Sequence, residues 1–132
     1  MNPRYPVVAA RAGHRCEYCH APEAVFNLPC EVEHVLPPGA GGSSDESNLA
    51  LACRSCNVFK SDFTEALDSE TSRTARLFNP RLDDWSAHFQ ISDSSEIIGL
   101  TDIGRATLEL LKMNAATQKA ARLNWVRLGM YP

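Results

Sequence analysis

No stretch of this sequence is long and apolar enough to cross a bilayer; none approaches the roughly 20 consecutive apolar residues that a spanning helix needs. The opening residues, MNPRYPVVAARAGHRC, lack the apolar centre and the small-residue cleavage site of a secretory signal. A cytoplasmic protein is the expectation. A surplus of positive charge is also missing: 13 Lys and Arg stand against 16 Asp and Glu, a net charge of −3. Affinity for phosphate backbones comes largely from Lys and Arg, so a whole-surface polycation is excluded. Any basic face must be local. The segment from Asp62 to Leu100 holds eight acids and three bases, whereas Thr101 onward holds five bases (Arg105, Lys112, Lys119, Arg122, Arg127) and two acids. Internal repeats and low-complexity tracts are absent as well.

What remains is an ordinary globular composition, 44% apolar and 22% charged over 132 residues. That length suits one domain, 1–132, with one modest core. Five cysteines are present, and four of them form two C-x-x-C pairs, Cys16/Cys19 and Cys53/Cys56. In a reducing compartment such pairs read as metal ligands rather than disulfides. Two pairs supply four thiolates, a closed tetrahedral set with no open position, which makes the expected role structural. Zinc is the first expectation; an iron site of rubredoxin type uses the same ligands. Cys30 is left over and reads as a small buried residue on a strand.

Along the chain, PRYPVVAARAG (3–13) reads as a short helix closed by Gly13, and Cys16 to Cys19 as a knuckle. VFNLPCEVEHVL, rich in β-branched and aromatic residues, reads as two short strands or a hairpin around Pro29. PPGAGGSSDESN is a loop by composition. From Leu49 the pattern turns helical, with the second cysteine pair in or just before that helix. FNPRLDDWSAHFQIS suggests a turn into a short strand. Thr101 reads as the N-cap of a helix carrying Ile103, Leu110 and Leu111, and ATQKAARLNWVRLG as a last helix closed by Gly129.

Between the cysteine pairs, Glu33 and His34 are adjacent. A carboxylate that holds a divalent ion beside an imidazole that takes a proton from water is a hydrolytic pairing. On its own the dipeptide says little. Its setting says more: C-E-Y-C, then E-H-V-L-P, then Gly41-Gly42, then Asn48-Leu49, then C-R-S-C-N-V-F-K. In order, spacing and residue type this pattern resembles the HNH endonucleases. It covers about a third of the chain, Cys16 to Lys60. The later RLFNPRLDDWSAHF and GLTDIGRATLELLKMN look like the tail carried by one bacterial branch of that family.

The resemblance implies an α+β fold: a small ββα-metal (His-Me finger) core, a structural four-Cys zinc site and peripheral helices. The motif core would span 14–62 and a C-terminal helical extension 77–132. Glu33 matches the acidic ligand of the catalytic ion, a position that is often Asp. His34 matches the general base. Asn48 matches the middle residue, which orders the loop and orients the histidine. Asn57 stands where the last histidine would be, as the second ligand, giving an H-N-N form of the motif. An amide oxygen is a hard neutral donor, so this form favours Mg²⁺ or Mn²⁺. His34 would deprotonate water, and an ion on Glu33 and Asn57 would bind the scissile phosphate of DNA and the departing oxygen. Lys60, one helical turn beyond Asn57, would contact a flanking phosphate or stand as a solvated helix lysine.

The loop PPGAGG carries no Lys or Arg, and the net charge is acidic, so weak or salt-dependent DNA binding, or reliance on a protein partner, would follow. A monomer would nick one strand; a homodimer would cut both. The competing expectation is a non-catalytic zinc-binding module that binds nucleic acid or protein, or a purely structural zinc protein. Of the other histidines, His14 and His20 read as surface residues of the knuckle, and His88 as a packing residue beside Trp85 and Phe89.

Overall fold

In the computed structural model, which describes residues 1–132, helix α1 (Tyr5–Arg11) carries Pro6 in its first turn. The missing N–H does no harm there, because first-turn donors have no helical partner. Val8 and Ala9 are fully buried on its inner face. The chain leaves the helix through Gly13, whose left-handed φ of +63° is open to glycine without steric cost.

Strand β1 (Glu31–His34) runs antiparallel to β2 (Leu49–Ala52), with Glu31 opposite Ala52, Val32 opposite Leu51, Glu33 opposite Ala50 and His34 opposite Leu49. Helix α1 packs on this pair. Two expectations need correction here. No hairpin forms around Pro29, since residues 26–30 are irregular and the partner of β1 comes from beyond the loop. Leu49–Ala52 is a strand, not the start of a helix. All four of its residues are buried, and a short, wholly apolar run has no periodicity to distinguish the two. Helix α2 (Arg54–Lys60) follows at once, with Cys53 as its N-cap residue.

The loop from Val35 to Asn48 is tied by its own ends. Asn48 accepts from the Leu36 N–H at 2.9 Å and donates to the Leu36 and Ser43 carbonyls at 2.9 and 2.7 Å. At Gly42 a Cβ would lie 1.7 Å from the Leu36 carbonyl oxygen. Only glycine allows that approach, which explains the second glycine of the pair.

Beyond the motif, β3 (Glu65–Asp68) and β4 (Arg73–Arg76) form a hairpin that the sequence reading did not anticipate. A short helix, α3 (Trp85–His88), leads into β5 (Phe89–Ile91), which pairs with β6 (Ile97–Gly99). The extension is therefore not purely helical. Helix α4 (Asp102–Leu110) begins as expected, with the Thr101 side chain accepting from the Gly104 N–H at 3.0 Å. A Cβ on Gly104 would meet the His88 carbonyl oxygen at 2.1 Å, so this glycine lets α4 close against the end of α3. Helix α5 (Ala116–Arg127) is anchored by the buried Arg122, whose guanidinium donates to the carbonyls of Ser95 and Met113. The architecture is thus α+β, with helices and three two-stranded antiparallel sheets. No helix is long and apolar enough to cross a membrane.

One core cluster runs through the molecule and includes Cys16, Cys19, Cys53 and Cys56 together with Tyr18, Leu49, Leu51, Phe78 and Phe89. Phe78 meets Tyr18 and Phe89 edge-on at 6.4 and 5.3 Å, and Trp85 lies 5.0 Å from Phe89. His88 packs on Phe78 at 5.9 Å and shares a hydrogen bond of 2.7 Å with Thr101, so it is a packing residue. His20 stacks on Trp85 at 4.1 Å, and His14 pairs with Glu23.

Candidate functional site

The knuckle after α1 is stitched to β2 from both sides. The Glu17 N–H donates to the Leu51 carbonyl, and the Leu51 N–H donates back to the Glu17 carboxylate, both at 2.8 Å. This registers Cys16 and Cys19 against Cys53, at the end of β2, and Cys56, in the first turn of α2. All four are buried and free, and their sulfurs lie within 4.8 Å of one another. Cys19 and Cys53 are 3.8 Å apart. Zinc–thiolate bonds of about 2.3 Å give a tetrahedron with edges of about 3.8 Å, so the donor set fits zinc in size and in chemistry. Cys30 is buried just before β1, where burial pushes its thiol pKa up and leaves it inert.

Strand β1 places Glu31 and Glu33 on one face, because strand side chains alternate. Helix α2 presents Asn57 and Lys60 to them, three residues apart on one helical face. The pairing is specific. Asn57 donates to Glu31, which also receives Arg54 at 2.9 Å. Lys60 reaches Glu33 at 3.1 Å, and the Tyr18 hydroxyl donates to the other Glu33 oxygen. Burial pushes the Glu33 carboxyl pKa up, and Lys60 and Tyr18 oppose that shift. Burial and the neighbouring Glu33 together raise the Tyr18 phenol, which stays a neutral donor.

Lys60 is the clearest departure from expectation. It is 1% exposed, and its ammonium donates to the carbonyls of His34 and Val35 at 3.2 and 3.0 Å as well as to Glu33. Its three donors are used. It is neither a phosphate contact nor a solvated lysine.

His34 is half-buried at the end of β1, with Nε2 3.0 Å from the Ser44 hydroxyl. Asn48 holds the carbonyl of the preceding Ser43, so the loop it organises is the one that reaches the imidazole. Glu33, His34 and Asn57 line one open cleft of about 270 Å³, together with Asp62. Asn57 makes its amide contact with Glu31 rather than with Glu33. Sequence reasoning passed over Glu31, Tyr18 and Asp62. Glu31 alone had a signal, two residues before Glu33 on the same strand face.

Residues 16–63 match the family model described as HNH endonuclease. No curated protein and no solved structure matches the chain. Residues 16–63 are therefore similar to the HNH endonuclease family, and the four cysteines form a cluster that could hold zinc.

Proposed function

We propose that the protein is a metal-dependent endonuclease that hydrolyses phosphodiester bonds in DNA. The observation that carries this reading is the meeting of Glu33, His34 and Asn57 at one cleft within the HNH-matched segment. His34 is the general base: its imidazole is open to the cleft and is steadied by Ser44, and it would take the proton from the attacking water. Glu33 and Asn57 would hold the divalent ion. Each Glu33 oxygen takes one protein donor, and an ionised carboxylate offers about four lone-pair sites. The Asn57 amide donates its N–H to Glu31, which leaves its carbonyl oxygen for the ion. Two hard oxygen donors suit Mg²⁺ or Mn²⁺ better than zinc. When bound, the ion would neutralise the scissile phosphate and the departing oxygen. The four cysteines would hold a structural zinc. Whether one strand or both are cut follows from whether the protein acts alone, as a homodimer or with a protein partner.

The test is nicking of supercoiled plasmid with Mg²⁺ or Mn²⁺, comparing wild type with His34→Ala. Metal-dependent nicking by wild type and a loss of roughly 100-fold or more in the variant is the expected result. Equal activity in both would remove His34 from the chemistry. One observation favours a second reading, a zinc-binding module without catalysis that binds nucleic acid or protein: the Glu33 charge is already matched by Lys60. Inactivity of wild type with every divalent ion would select it.

A further inference from the structure

Glu33 is held by two residues that belong to the cysteine site, not to the cleft. Tyr18 lies inside the first C-x-x-C pair, and its hydroxyl donates to Glu33 Oε1. Lys60 closes the helix that begins next to Cys53 and contains Cys56, and its Nζ lies 3.1 Å from Glu33 Oε2. Tyr18 and Lys60 are shut away from solvent, at 0% and 1% exposure, while Glu33, at 6%, shows only a small edge to the cleft. Lys60 also grips the His34 carbonyl at 3.2 Å. One ammonium therefore fixes both the carboxylate and the main chain of the neighbouring histidine.

Stability is a poor explanation for this arrangement. Apolar side chains of similar volume fill a core as well as a buried ion pair, and often better. Carboxylates that ligate metals, by contrast, are usually fixed by hydrogen bonds from residues behind them. Resting on the nuclease reading above, we propose that Tyr18 and Lys60 are positioning residues: they clamp Glu33 and the His34 main chain to the knuckle and helix that the four cysteines join, so the sulfur site sets the aim of the catalytic strand. Neither residue touches substrate. Each acts through Glu33 and His34.

Tyr18→Phe removes one oxygen and keeps the ring that packs on Phe78. In zinc-loaded protein, Mn²⁺ uptake is followed by electron paramagnetic resonance, and the cysteine site is followed separately by the thiolate absorption of cobalt-substituted protein. The expected result is a fall of roughly 10–100-fold in Mn²⁺ affinity, a lower kcat with KM for plasmid unchanged, and an unaltered cobalt spectrum. Lys60→Arg, which keeps the charge but changes the donor geometry, should weaken Mn²⁺ uptake in the same sense. Wild-type Mn²⁺ affinity in both variants, with only Tm lowered, would overturn the inference and leave the nuclease reading standing. A wild-type protein that takes up no Mn²⁺ beyond the cysteine cluster would overturn both.

Discussion

Gly42 and Asn48 act together on the loop that approaches His34. The glycine lets the chain pass against the Leu36 carbonyl, and the asparagine fastens Leu36 and Ser43 from the far end of the loop. Gly42→Ala would push a methyl into a carbonyl oxygen. It is expected to destabilise the protein by roughly 1–3 kcal/mol, measured by urea unfolding; an unchanged midpoint would show that the loop shifts freely. At this scale the sequence pattern singled out residues that the fold brings near one another. Glu33, His34, Asn48 and Asn57 are close in sequence pattern and lie around one loop and one cleft. Lys60 was not legible. Its burial depends on two main-chain carbonyls, of His34 at the end of β1 and of Val35 just beyond it, that no local pattern of the helix reports. The same holds for Tyr18, which looks like a spacer between ligands until its hydroxyl meets Glu33.

Among the elements, those with an end signal were read well. Thr101 caps α4, and Gly13 and Gly129 follow α1 and α5 with left-handed φ. Elements defined by their partners were misread or missed. Leu49–Ala52 is a strand because Glu31–His34 lies beside it, and the Glu65–Asp68/Arg73–Arg76 hairpin is mostly exposed, with little alternation to mark it. That hairpin is tied to α4 by Arg105, which donates to both Asp68 oxygens at 2.9 and 3.0 Å. The hydrogen bonds from Arg105 hold the Asp68 carboxyl well below the usual carboxylate range, despite its burial. A depressed pKa gives stability that is present above the unfolded value, about 3.9, and is lost as pH falls through the folded one. Asp68→Asn should therefore be less stable than wild type at pH 7, and the gap should narrow below about pH 4. Urea unfolding of both proteins across that range measures it; a gap independent of pH would separate Asp68 from the acid sensitivity.

For the molecule as a whole, the cysteine cluster is part of the core rather than an appendage. The cluster joins the knuckle, β2 and α2. The carbonyl of Cys19 also accepts the Tyr131 hydroxyl at 2.8 Å, which ties the knuckle to residues beyond α5. Removing a structural metal from such a centre should cost far more than local order. Chelation under reducing conditions is expected to lower Tm by tens of degrees or abolish cooperative melting, as followed by circular dichroism. An unchanged melt would mean that the four thiols pack without an ion.

The grip on Glu33 also bears on how this segment can vary between relatives. The Tyr18 hydroxyl and the Lys60 ammonium meet across a side chain of one particular length. An aspartate at position 33 falls a methylene short and strands at least one of them in the core, where an unmatched polar group costs about 1–3 kcal/mol. Positions 18, 33 and 60 should then covary, with aspartate at 33 accompanied by loss of the hydroxyl at 18. In this chain Glu33→Asp should be less damaging on a Tyr18→Phe background than on wild type. A double-mutant cycle on unfolding free energy measures that coupling, and strict additivity would show that Tyr18 and Glu33 are energetically independent.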